Sequence, residues 1–220
     1  MIKHPSKRGF LFVLGIIVIL GILCLFAIRQ QIIRSRHYAK LLEEAEWMNR
    51  EYDPFTTDSV MLRVVRHYDH WWHPDSTRTK AYYLLGCAYR DLNNAPRALE
   101  NYQRAAELAD TTDSASLDRL MRVHSQMSEL YMRQRLPEQM LAESRTAADL
   151  AWKIGDARSA LISESKVCYA LYNNKEYQEC IKEALKQYNQ FMHYGFEQDA
   201  LLKYSLCIKC YLELGDFLNA

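Results

Sequence analysis

Between Thr79 and Asp110 the apolar and small residues fall into two helical rhythms separated by a turn. Tyr82, Leu85, Gly86 and Tyr89 recur at i, i+3, i+4 and i+7, the stripe that one face of a helix turns toward a neighbour. Asn93-Asn94 interrupts the run with residues that favour turns. Pro96 then suits the first turn of a second helix, where its missing N–H has no bond to lose. That helix carries Ala98, Tyr102 and Ala105 on one face. Gly86 and Ala98 are small where two helices of a hairpin must approach closely. The stretch therefore predicts a helical hairpin.

The same rhythm returns downstream. Val123, Met127, Leu130 and Tyr131 form a stripe, Ser128 takes the small position of Gly86, and Pro137 opens a partner helix. Tyr131 matches Tyr89, and Met140 and Ala147 match Ala98 and Ala105, but Ser144 stands where an aromatic is expected. Gly155-Asp156 begins a third unit with Val167, Cys168 and Leu171, a turn at Asn173-Asn174, then Lys175 to Cys180. A fourth begins near Glu197 with Tyr204, Cys207, Ile208 and Tyr211, then Gly215-Asp216-Phe217. Gly86, Ser128, Cys168 and Ile208 correspond, at spacings of 42, 40 and 40.

The order aromatic-x2-Leu-Gly-x2-Tyr followed by Ala-x3-aromatic resembles the tetratricopeptide repeat, whose hairpins stack into a superhelix. Tyr82 stands where that family usually has Trp, Tyr102 where it has Phe, and Asp110 where it has Pro. The family's period is about 34, so the wider spacing implies hairpins extended by roughly two turns of helix or loop. The resemblance implies repeats over about 79–115, 116–156 and 157–196, with 197–220 incomplete. Tyr82, Leu85, Gly86, Tyr89, Ala98, Tyr102, Ala105, Tyr131 and Tyr211 would carry the packing between helices.

It also implies a concave groove lined by first-helix residues offset from the core stripe. Those positions hold Lys80, Tyr83, Cys87, Arg90 and Asp91, then Arg122, Ser125, Glu129, Met132 and Arg133, then Ile162, Ser165, Tyr169, Tyr172 and Asn173. Tyr83, Tyr169 and Tyr172 would offer flat contact area at low entropic cost, and Arg90, Arg122 and Arg133 would pair with acidic groups. Lys80, Tyr83, Arg90, Arg122, Glu129, Arg133, Tyr169 and Tyr172 are the candidate partner-binding set. The Lys/Asn clamp by which some family members hold a terminal carboxylate is absent, since Tyr83 and Cys87 occupy its positions.

Upstream, Gly9 to Ile28 contains neither charge nor proline, and about 20 apolar residues suffice to span a bilayer. Residues 9–28 read as an uncleaved transmembrane anchor behind a basic tail at 1–8. A cleaved signal peptide or a lipoprotein using Cys24 are the alternatives, although Leu23 is bulky where lipoproteins carry a small residue. Lys3, Lys7 and Arg8 flank one side and Arg29, Arg34, Arg36 and Lys40 the other, so orientation rests on the short basic tail staying inside. This places the repeats outside the cytoplasm. Residues 29–76 read as a stalk helix and a degenerate first hairpin, with Leu41, Leu42, Ala45 and Met48 apolar and a further helix from Ser59 to Trp72.

Charge refines the partner class. The first forty residues hold seven Lys/Arg and no acid, leaving 21 basic against 27 acidic residues in the remainder. That balance argues against nucleic-acid contact. The six cysteines are no disulfide framework, and free Cys packs as a small hydrophobe. His67, His70 and His73, and Cys207 with Cys210, raise a metal or redox reading. However, His67 and His73 diverge on the helical wheel, and neither set has a second group of ligands. No Gly-rich phosphate loop, H-E-x-x-H or G-x-S-x-G occurs, so neither catalysis nor a cofactor is expected.

The sequence thus predicts an all-α chain: a transmembrane helix followed by an α-solenoid of tetratricopeptide-like hairpins, similar to bacterial membrane-anchored members of that family. Its expected role is a non-catalytic scaffold binding a protein or peptide in the groove. The alternative is the sensor part of a longer signalling or transcription regulator with its output domain beyond residue 220. Tyr204, Cys207 and Tyr211 would need a covering helix, so the chain is expected to continue or to be covered there.

Overall fold

The computed structural model describes residues 7–219, with side chains described at 16–17 and 19–219. Ten helices follow in order among these: α1 (Lys7–Arg50), α2 (Ser59–Tyr68), α3 (Asp75–Asp91), α4 (Ala95–Leu108), α5 (Ser114–Arg133), α6 (Pro137–Ile154), α7 (Ala157–Glu164), α8 (Lys166–Asn173), α9 (Tyr177–His193) and α10 (Glu197–Glu213). Helix α3 pairs with α4, α5 with α6, and α7–α8 with α9, which also packs on α10. Each second helix of a hairpin also touches the first helix of the next, as α4 does α5 and α6 does α7. The result is a stack of antiparallel hairpins.

One local device sets the phase of the stack. Asn93, Arg135, Lys175 and Gly215 all have φ between 56° and 73°, and each lies in the turn after a first helix. Around them the N–H groups of Asn94, Leu136, Glu176 and Asp216 donate to the carbonyls of Tyr89, Tyr131, Leu171 and Tyr211 at 2.8–3.0 Å. This left-handed closure reaches back to carbonyls that the helix end would otherwise leave unpaired. Tyr52 (φ 58°) belongs to the same series, with Asp53 N–H donating to the Met48 carbonyl at 2.9 Å. It fixes the register of the first hairpin. The last turns of α1 and all of α2 form it, with Ala45 at the place of Gly86, Met61 at that of Tyr102 and Val64 at that of Ala105. All three are buried.

Second helices start cleanly where the sequence supplies a cap. Asn94 Oδ1 accepts from Arg97 N–H at 3.3 Å at the head of α4, and Pro137 occupies the first turn of α6. The main core runs from Leu42 and Ala45 through Met61 and Val64 to Tyr102, Val123 and Leu130. A separate cluster around Cys168, Cys180, Cys207 and Cys210 fills the far end. All five cysteines beyond Cys24 are buried free thiols.

Two expectations need correction. The basic tail falls largely on residues 1–6, outside the described residues, and the anchor partly on side chains 9–15 and 18 that are not described. Among the described residues no helix is long and apolar enough to cross a membrane. The transmembrane anchor over 9–28, and with it the single-pass localisation with repeats outside the cytoplasm, is therefore overturned. Second, the helix read as running from Ser59 to Trp72 ends at Tyr68, so His70 and His73 lie in the connection. The first helix of the third hairpin is broken at Ser165 into α7 and α8. Ser165 Oγ donates to the Ile162 carbonyl at 2.8 Å and accepts from Lys203 Nζ at 2.8 Å, competing for a carbonyl the helix would use.

Candidate functional site

First helices α1, α3, α5, α8 and α10 lie side by side and are tied by polar contacts between neighbours. Lys80 of α3 pairs with Glu46 of α1. Arg90 donates to its neighbour Asp91 at 2.8 Å, to Gln126 of α5 at 2.8 Å and to Asn49 of α1 at 3.3 Å. Asp91 in turn accepts the Phe55 N–H at 3.0 Å. Glu129 of α5 accepts from Lys166 of α8 at 2.9 Å and from Arg133 at 3.4 Å. The Lys203–Ser165 contact links α10 to the α7–α8 break.

This wall changes what several candidate residues have to offer. Lys80, Arg90 and Glu129 are engaged with neighbouring helices, and Arg122 is held by Asp118 at 2.9 Å on its own helix. Tyr83 is buried, its ring 6.0 Å from that of Tyr102 with Asn49 Nδ2 3.5 Å from its hydroxyl, and burial pushes its phenol well up. Arg133, exposed on the rim, is shared with Glu129. Tyr169 stays exposed, and Tyr172 stands half-buried with its ring edge toward Tyr177 at 5.6 Å. Of the packing set, Leu85, Gly86, Tyr89, Ala98, Tyr102 and Ala105 are buried, while Tyr82, Tyr131 and Tyr211 are half-buried.

Open surface concentrates at the α8–α10 end. A cavity of about 330 Å³ there is lined by Ile162, Tyr169, Tyr172, Leu202 and Leu206, with Lys166, Lys203 and Lys209 around them. Ile162 and Leu202 are exposed apolar side chains, 39% and 65% accessible. Lys209 is exposed and makes no ion pair among the described residues. Burial lowers the Lys203 ammonium from its usual range, and the Lys166 cation pushes the same way. The groove thus combines apolar and aromatic contact area with net positive charge.

Leu202, Ser205 and Lys209 were within reach of sequence reasoning. They lie 40 residues beyond Ile162, Ser165 and Tyr169, so the same offsets carried into the fourth unit arrive at them. Lys166 and Lys203 carry no such signal; Lys166 reaches Glu129, and Lys203 the Ser165 hydroxyl at the break between α7 and α8.

Neither the known protein families nor the curated proteins contain a match to this chain. Solved structures do share its fold. BtubC (BKLC) from P. vanneervenii superposes with a TM-score of 0.60 at 12% identity, over 80% of this chain and 72% of that one. A Podosopora anserina kinesin light chain protein with nearly identical TPR-like repeats gives 0.53 at 12% identity, over 81% and 96%. The chain therefore has a tetratricopeptide-like α-solenoid fold. The likeness concerns the fold and does not extend to the membrane-anchored bacterial type.

Proposed function

We propose that this protein is a non-catalytic interaction scaffold that binds an acidic peptide segment bearing apolar side chains in the groove between α8 and α10. The observation that carries this reading is the juxtaposition of exposed Ile162, Leu202 and Tyr169 with the cations of Lys166, Lys203 and Lys209 around one cavity. Apolar area supplies affinity, while the unpaired Lys209 selects charge and speeds encounter. Lys80, Arg90 and Glu129 serve instead to hold the wall, and Tyr169 and Tyr172 contribute the aromatic contacts.

A peptide array varying net charge and apolar content tests the reading. Acidic-apolar peptides should bind, and Lys209→Glu and Leu202→Asp should each weaken them about tenfold or more. Selection of basic peptides, or full binding by both variants, would exclude this groove.

A further inference from the structure

A second concentration of positive charge lies away from the groove, where α1 runs past α2 and the α2–α3 connection. Arg34, Arg63, Arg66, His67, His70 and His73 line a cavity of about 390 Å³ there, and no carboxylate lines it. Among the described residues the three arginines enter no ion pair, and Asp69, beside them in sequence, faces Arg78 at 3.5 Å instead. His67 Nε2 is shut off from solvent without any hydrogen-bond partner.

The histidines are held by aromatic contact. The His67 ring stacks on Tyr38 at 4.2 Å and the His70 ring on Trp72 at 4.3 Å, with the His73 ring 5.3 Å from His67. Among the described residues no group of three or more His, Cys, Asp or Glu is placed to hold a metal ion. A cation would moreover meet three guanidinium charges. An anion meets the opposite situation: the like charges of Arg34, Arg63 and Arg66 around one cavity attract it together. Guanidinium forks match the spacing of phosphate oxygens, and the Tyr38 and Trp72 rings flank the site with flat walls.

We propose that this cavity binds the phosphate group of a soluble phosphate or small phosphate ester. Arg34, Arg63 and Arg66 neutralise it. The site is independent of the peptide groove and does not rest on it.

Isothermal titration of the full chain with inorganic phosphate and with adenosine monophosphate, against sodium chloride at matched ionic strength, tests the proposal. Saturable one-to-one binding of either probe is expected, weakened about tenfold or more in Arg63→Gln/Arg66→Gln. Equal affinity for both probes would assign recognition to the phosphate alone, and tighter binding of the nucleotide would add the aromatic walls. Circular dichroism checks that the double variant folds, and Arg34→Gln on the exposed flank of α1 serves if it does not. Absence of saturation by either probe, or unchanged affinity in a folded variant, would overturn the proposal.

Discussion

The α carbon of Gly86 sits against the ring of Tyr102: a Cβ added there would meet Cδ1 and Cε1 of the tyrosine at 2.5 Å. Both residues are buried and neither has room to withdraw. Gly86→Ala should therefore destabilise the protein by about 1–3 kcal/mol, although alanine is the better helix former by about 1 kcal/mol. Chemical denaturation of wild type and variant checks it.

The second hairpin solves the same contact differently, which explains why Ser144 departs from the aromatic pattern. Ser128 and Ser144 occupy the places of Gly86 and Tyr102, and their hydroxyls lie 2.6 Å apart with Ser128 also donating to the Met140 carbonyl at 3.1 Å. Ser144→Tyr alone should cost at least about 2 kcal/mol by overpacking, and adding Ser128→Gly should recover a large part of it. Additive losses in that double-mutant cycle would contradict the exchange.

The turn series predicts gains. Arg135 and Lys175 hold a left-handed backbone that glycine adopts freely, as Gly215 does at the same place. Arg135→Gly and Lys175→Gly should each stabilise by about 0.5–1 kcal/mol, less than the full strain because glycine also loosens the unfolded chain. Asn93→Gly should give less, since asparagine tolerates this region. Shifts in urea midpoint at constant slope are the measurement.

Thiol chemistry should divide the cysteines sharply. Burial pushes the Cys168 thiol up to about 11 and raises those of Cys87, Cys180, Cys207 and Cys210, whereas Cys24 is exposed. Thiolate is the reactive form, so one thiol should label quickly in the native protein and all six in denaturant. Fast labelling of Cys207 or Cys210 would mean the far-end core opens.

Acid should destabilise the first hairpin. His67 and His73 both titrate below the ordinary histidine range, chiefly because burial disfavours the charged ring, with Arg34, His70 and Arg78 opposing it further. Arg63 and Arg66 face the same cavity, Tyr38 stacks on the His67 ring, and burial raises the Tyr68 phenol so that it adds no charge near neutrality. Their pKa is lower folded than unfolded, so the unfolded chain binds more protons as pH falls through 6.5, and stability is lost on acidification. His67→Gln should flatten the fall in denaturation midpoint between neutral and mildly acidic pH.

Much of the architecture was legible because packing repeats residue types. Tyr82, Leu85, Gly86 and Tyr89 announce a helix that needs a close partner, and Asn93-Asn94 and Gly215-Asp216 announce the turns. Tyr52, Arg135 and Lys175 hide the same turn, since nothing about their side chains asks for a left-handed backbone. The groove was less legible. Offsets from a core stripe say which way a side chain points, but not that Glu46 reaches Lys80 or that Asn49 and Gln126 both reach Arg90. Residues 9–28 misled because an uncharged, proline-free run reports composition and does not by itself establish a span. Ser165 looks like any exposed serine until Lys203 is placed beside it.

The polar links between first helices have a mechanical side. On the groove wall each neighbour is tied by contacts such as Glu46–Lys80, Glu129–Lys166 and Ser165–Lys203, while Tyr102, Met140 and Ala147 of the second helices are held by apolar packing. Salt screens the ion pairs among the former and does not weaken the latter. Rising ionic strength is thus expected to relax one side of the stack and not the other, so that the array behaves as a spring whose bend is tuned by the medium around it.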